Sequence, residues 1–335
     1  MPVPREMNPP GNSPDPWGGL RQIFPEGEIF VVTDDAELGA HTAGLGLATA
    51  LLGEVAELPD GASVVLLLRN SLVSRDIRRM FRRFGVLLVP IASFDPALDV
   101  ARYTFDLVRH TDYERACEWN RYWARNIAGQ PGPLVFTGHG TGLECAFGDD
   151  ISADAWMNTR IDVGKWISVA SYCEFSLTAP STRDWRGTFD LNGTVVASGL
   201  LVAQDARARE PGAARVRRAR RLRAEMVARG PMTLRLREGV LASVEAGGVD
   251  FTDALSEVTN PDYELHTLEL GIGTNMSLLP RVDWTFNSQL NEGAGPVHLG
   301  FGEGITGAHM DFIVAECEHR FEGDGVVQQS HAQPV

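Results

Sequence analysis

Residues 28–95 read EIFVVTDDAELGAHTAGLGLATALLGEVAELPDGASVVLLLRNSLVSRDIRRMFRRFGVLLVPIASFD, and the order of apolar runs within them decides the fold. EIFVVTDD (28–35), SVVLLLRN (63–70) and GVLLVPIASFD (85–95) are short β-branched or leucine-rich runs closed by turn residues, the pattern of buried strands. The stretches between them, HTAGLGLATALLGEVAEL (41–58) and SLVSRDIRRMFRRF (71–84), predict helices. Strands and helices therefore alternate, as in a parallel α/β sheet. Asp95 to Asn126 also predicts helix, with Trp119, Tyr122 and Trp123 at helical spacing as packing residues. An N-terminal α/β domain over 21–130 follows.

Upstream, residues 1–20 combine Pro, Gly and Asn with little apolar content and predict a flexible tail; residues 323–335 predict a second one. Downstream, PLVFTGHGTGLECAFG (133–148), GTFDLNGTVVASG (187–199) and MTLRLREGVLASVEAGG (232–248) alternate with period two around Asn-Gly and Glu-Gly turns. Residues 131–322 thus predict a strand-rich α+β domain, interrupted at 207–223 by an arginine-rich insertion that is either a helix or a flexible loop.

Composition narrows the function. The net charge of −14, from 30 basic against 44 acidic residues, excludes a general nucleic-acid surface, which needs a basic footprint. No apolar run is long enough to span a bilayer, and the N-terminus lacks the apolar core of a secretory signal, so a soluble cytoplasmic protein is expected. Cys117, Cys145, Cys173 and Cys317 are scattered without a CxxC pair, which argues against a disulfide framework and a thiolate zinc site. The glycine-rich FTGHGTGLE (136–144), around His139, lacks the Lys-Ser/Thr of a phosphate-binding loop, and no Gly-x-Ser-x-Gly elbow occurs.

Three later segments place ionisable residues where a plain strand would place apolar ones. In AHMDFIVAE (308–316), His309 and Asp311 project from the same face of an alternating strand, a sound chelating pair for a divalent metal. In GPVHLGFG (295–302), His298 stands between flanking glycines. In ELHTLELGIGTN (264–275), Glu269 precedes a Gly-Ile-Gly turn that lets backbone approach a bound group closely. His266 and Glu269 face opposite ways if this segment is extended, so only one of them enters a site. Taken singly, each has a plain reading: a His-Asp pair in a core, a satisfied histidine, a strand-end carboxylate. Together, with Glu174 in YCEFSLTAP (172–180), they supply two imidazoles and three carboxylates.

The wording of these segments resembles the thermophilic leucyl aminopeptidase family, of the aminopeptidase T type, and its relatives the 2,5-dihydroxypyridine dioxygenases. The family's Glu-Leu-Gly-Ile-Gly-Thr-Asn string stands here as Glu269 to Asn275, its Asp-Glu…Gly-Thr-Val-His segment is echoed by LNEGAGPVHLGFG (290–302), and its closing His-x-Asp by His309 and Asp311. Its Gly-Glu-Val-Phe-Thr-Ala-Pro looks like Cys173 to Pro180, with Glu174 displaced by one residue. The resemblance implies a metal set of Glu174, Glu269, His298, His309 and Asp311 holding two divalent ions (Zn, Mn or Co), with Glu174 and Glu269 as catalytic residues, and a homodimer. Two features depart from the family pattern: GFGEGITGA (300–308) is a short loop without the family's tyrosine, and the arginine-rich insertion is longer and more basic.

Three functions follow as expectations. The first is a metallo-aminopeptidase acting on a peptide by two-metal hydrolysis. The second is a peptide-binding accessory protein that has lost turnover, with or without metal, in the maturation of a ribosomally made peptide; here the arginine run could dock an acidic leader segment of the precursor peptide. The third is a mononuclear Fe(II) ring-cleaving dioxygenase, which in that branch carries a histidine where Glu269 stands.

Overall fold

A computed structural model describes residues 17–127, 132–148, 151–179 and 188–321. Residues 1–16 of the expected N-terminal tail and the whole expected tail 323–335 lie outside the described residues. From Trp17 the chain is already packed: Trp17 and Leu20 are buried, and the Gly19 N–H donates to the Arg109 carbonyl at 2.8 Å. These two side chains supply apolar surface that a composition count over the first twenty residues dilutes.

The three apolar runs form parallel strands, β1 (Ile29–Thr33), β3 (Ser63–Leu67) and β4 (Gly85–Val89). They are joined by β2 (Thr49–Leu51) and by β8 (Trp166–Ser168), where the chain returns to the first sheet, giving the order β2-β1-β3-β4-β8. Strand β2 lies inside a stretch expected to be helical. The helix Ala36–Gly44, N-capped by the Asp35 carboxylate accepting from the Leu38 N–H at 2.8 Å, stops at Gly44, and Gly46 at φ +80° turns the chain back beside β1. The helical stretch up to Asn126 is two helices, Leu98–His110 and Tyr113–Ile127, separated by an extended Thr111.

Two antiparallel sheets follow. The second has the order β14 (Val249–Asp250), β13 (Val240–Ala246), β12 (Met232–Arg237), β10 (Phe189–Ala197), β6 (Thr141–Phe147), β5 (Leu134–Gly138), β18 (Glu318–Phe321). The third runs β11 (Gly199–Ala203), β17 (His309–Val314), β16 (Val297–Phe301), β15 (Thr267–Gly273), β9 (Glu174–Thr178), β7 (Ser152–Asp154). They share one core, to which the second sheet contributes Leu143, Leu191 and Leu234 and the third Leu270, Leu299 and Phe312. Period-two alternation then dictates that the opposite face of the third sheet carries the ionisable residues.

The arginine-rich insertion resolves as a helix, Gly212–Ala228, locked to the body rather than held out as an arm. Arg223 is buried and donates to the carbonyls of Leu200, Thr285 and Trp284 at 2.6, 3.0 and 3.0 Å. Arg215 reaches the Thr306 carbonyl, Arg217 pairs with Glu210, and Arg218 with Glu257. Trp119 and Trp123 pack into the shared core, as their spacing predicts.

Candidate metal centre

The site grows out of strand register. Glu269 on β15 lies opposite Gly300 on β16, which lies opposite Asp311 on β17; one step along, Gly271, His298 and Ile313 are aligned. On the other side, β9 sets Ser176 beside Gly271 and Glu174 beside Gly273. All the ionisable members therefore project from one face. The Gly-Ile-Gly segment expected as a turn is part of β15 itself, and its glycine serves side-chain clearance: a Cβ at residue 271 would meet the Cε1 and Nε2 atoms of His298 at 2.0 Å. Gly300 likewise leaves space, since a Cβ there would come within 2.8–2.9 Å of His309, Asp311 and Glu269. Two imidazoles can thus lie across the sheet instead of standing off it.

Two candidate ligand groups result, sharing Glu269. In Glu174–Glu269–His298, the His298 Nε2 atom is 3.3 Å from Glu174 Oε2 and 4.0 Å from Glu269 Oε1; in Glu269–His309–Asp311, the His309 Nε2 atom is 3.2 Å from Glu269 Oε2 and 2.8 Å from Asp311 Oδ1. Within each group, one donor atom per residue lies within 4.8 Å of the others. Asp311 and His298 are each 1% exposed.

Three neighbours complete the centre. The Ser176 hydroxyl donates to Glu269 Oε1 at 2.5 Å, fixing that carboxylate. The His309 Nδ1 atom lies 2.7 Å from the Gly302 carbonyl oxygen, which assigns it the proton and turns Nε2 toward the two carboxylates. Glu292, on the 3₁₀ turn Gln289–Ala294, adds a third buried acid to Glu174 and Asp311, beside the half-buried Glu269.

The crowding of four carboxyls and two imidazoles in a largely buried space sets the electrostatics. Burial first, then the charges of Glu269 and Asp311, raise the Glu174 carboxyl well above its ordinary range; burial first, then Glu174, Asp311 and Glu269, do the same to Glu292. Burial opposes the charged form of Glu269 too, but the hydrogen bond and charge of His309 outweigh it and hold that carboxyl low. Burial likewise disfavours a charged His309, and Asp311 and Glu269 override it, keeping the imidazole protonated well above its usual range. The cluster thus favours uptake of positive charge, which protons or divalent cations supply.

These residues fit such cations. Glu174 Oε2 and both Asp311 oxygens are buried without an aligned hydrogen-bond donor, although imidazole nitrogens stand close to Glu174 Oε2 and Asp311 Oδ1. Mixed nitrogen and oxygen donors suit zinc, manganese, cobalt or ferrous iron.

Of the residues singled out in the sequence, Glu174, Glu269, His298, His309 and Asp311 all converge, Glu174 despite its one-residue displacement. His266 does not enter: its Nδ1 atom lies 3.0 Å from the Tyr263 carbonyl oxygen, before β15 begins. His139 sits exposed at the β5–β6 turn with φ +50°, paired with Glu316 at 3.1 Å. Ser176 and Glu292 went unmarked. The signal for Glu292 was present in the Asn-Glu of LNEGAGPVH, whereas that for Ser176 was only its two-residue offset from Glu174.

A family model described as "Crocagin biosynthetic protein CgnE/B" matches residues 26–322. No curated protein matches. Among solved structures, a 2,5-dihydroxypyridine dioxygenase from Pseudomonas putida KT2440 is 14% identical over 90% of each chain with a TM-score of 0.47. Wild-type AmpT from Thermus thermophilus is 12% identical over 87% of this chain and 89% of its own, with a TM-score of 0.44.

Proposed function

The chain belongs to the crocagin biosynthetic protein CgnE/B family, and from that membership we propose that it handles a precursor peptide in crocagin maturation, with crocagin read as a ribosomally made peptide product. The observation that carries this reading is the extent of the match: residues 26–322 take in all three sheets and every residue of the carboxylate–imidazole centre. In this reading the centre binds divalent metal through Glu174, Glu269, His298, His309 and Asp311. When bound, such an ion supplies Lewis acidity and lowers the pKa of a coordinated water. The chain's own contribution is positional: Ser176 holds Glu269 Oε1, and the Gly302 carbonyl orients His309. The expected homodimer belongs to the same proposal and is checked by light scattering.

A second reading, hydrolysis of the peptide, is favoured by one observation, the sharing of Glu269 between two ligand groups. Under it, Glu292, a buried acid outside both ligand groups, is the residue placed to hand a proton to the leaving amine. One experiment separates the two. Protein stripped with chelator and reloaded with Zn²⁺, Mn²⁺ or Fe²⁺ is incubated with short peptides bearing free or acetylated N-termini. Binding without cleavage supports the first reading, and metal-dependent release of N-terminal residues supports the second. Neither binding nor cleavage contradicts both.

A further inference from the structure

A cleft of about 790 Å³ opens at the end of the two antiparallel sheets, and none of the metal-centre residues lines it. The chain crosses there from β17 of one sheet to β18 of the other through Ala315–Cys317, so the end of the shared core is closed by turns instead of strands. The opposite wall is the start of the helix Tyr113–Ile127 and its preceding turn. The volume falls within the range of small-ligand sites, roughly 300–1,000 Å³.

Its lining has two characters. Met276, Leu279 and Pro296 line it with apolar surface, while Asp112, Glu316 and Glu318 contribute three carboxylates beside Arg115 and His139; Glu316 pairs with His139, and Asp112 Oδ1 accepts from the Gln22 side chain and the Arg115 N–H. We propose that this cleft is a peptide-binding site separate from the metal centre, and that it takes a segment in which basic side chains alternate with aliphatic ones. The aliphatic groups bury against the apolar lining, and the cations meet carboxylates that outnumber the cations of the cleft, which favours encounter with a cationic segment and rejects an acidic one. The peptide as ligand rests on the function proposed above; the charge preference rests on the cleft alone. The loops that form the cleft also border the centre, since the Thr274 N–H donates to the carbonyl of Cys173, next to Glu174, and Ala294 and Pro296 lie between Glu292 and His298. A peptide held here is therefore anchored at the end of the third sheet that carries Glu174 and His298.

The test uses the full chain and two labelled probes, acetyl-Leu-Lys-Leu-Lys-amide and acetyl-Leu-Glu-Leu-Glu-amide, followed by fluorescence anisotropy. The lysine peptide is expected to bind and the glutamate peptide to fail. Combined Glu316→Gln and Glu318→Gln should weaken the lysine peptide by about tenfold. Ser277→Trp, which fills the cleft, should abolish binding while metal uptake stays at the wild-type level. Equal binding of both probes, or lysine-peptide binding unmoved by both sets of substitutions, overturns the assignment. No lysine-peptide binding in a protein that still takes up metal and binds other peptides removes this inference alone and leaves the proposed function standing.

Discussion

His298 lies across Gly271 so closely that a Cβ on residue 271 would come within 2.0 Å of two of its ring atoms. Gly271→Ala must therefore push the imidazole off the sheet and away from Glu174 and Glu269. The expected result is weaker metal uptake and a loss of roughly 1–3 kcal/mol of stability, as for overpacking elsewhere. Gly44→Ala is the control: nothing lies within 4 Å of a Cβ at that exposed helix position, so neither quantity should fall. Thermal unfolding with metal titration measures both.

Ser176 acts only through Glu269. Ser176→Ala removes the donor to Glu269 Oε1 and leaves every ligand in place. Metal affinity should drop roughly 10- to 100-fold, as when an outer-sphere hydrogen bond is lost, with little change in the unfolding temperature. An unchanged affinity would mean that the neighbouring imidazoles alone orient the carboxylate.

How far the sequence reveals this arrangement depends on what each residue's neighbours are. His309 and Asp311 lie two apart on one strand, and that spacing alone puts them side by side. Glu174 and Glu269 meet only because β9 and β15 pair in one register, which the shared wording of the motifs indicated and local pattern could not. The strand Thr49–Leu51 was hidden inside a helix-like composition, because three residues beside two glycines carry too little periodicity to declare themselves. The arginine run, helix or loop by its composition, is a helix, and charge counts do not show that its Arg223 is satisfied by three backbone carbonyls.

That same guanidinium gives a stability prediction. Arg223→Met keeps the aliphatic packing but leaves three carbonyls without their donor, at a cost of roughly 3 kcal/mol. Arg221→Ala, on the exposed side of the same helix, should change stability by no more than about 0.5 kcal/mol. Chemical denaturation of the two variants distinguishes a structural helix from a docking arm, for which the exposed arginine would matter more to binding and neither to folding.

Tyr103 ties the helix Leu98–His110 to the segment leading to Glu292, donating to Asn291 Oδ1 at 2.8 Å and accepting from the Asp283 N–H at 2.9 Å. Burial first, and then the Asp283 charge, push its phenol up to about 12. An unfolded phenol titrates near 10, so the unfolded chain loses this proton first. The stabilisation is intact below pH 10 and lost as pH rises through 10 toward 12. Tyr103→Phe should cost about 1–2 kcal/mol at neutral pH and show a smaller alkaline decline than wild type in denaturant titrations.

The shared position of Glu269 between two ligand groups is tested most directly by calorimetric titration of chelator-stripped protein with Zn²⁺ or Mn²⁺, comparing wild type with Glu269→Gln. The centre described above should take up metal in wild type, and the single substitution should weaken uptake at both groups together. Wild-type protein that takes up no metal, or a Glu269→Gln variant that binds as wild type does, would contradict it.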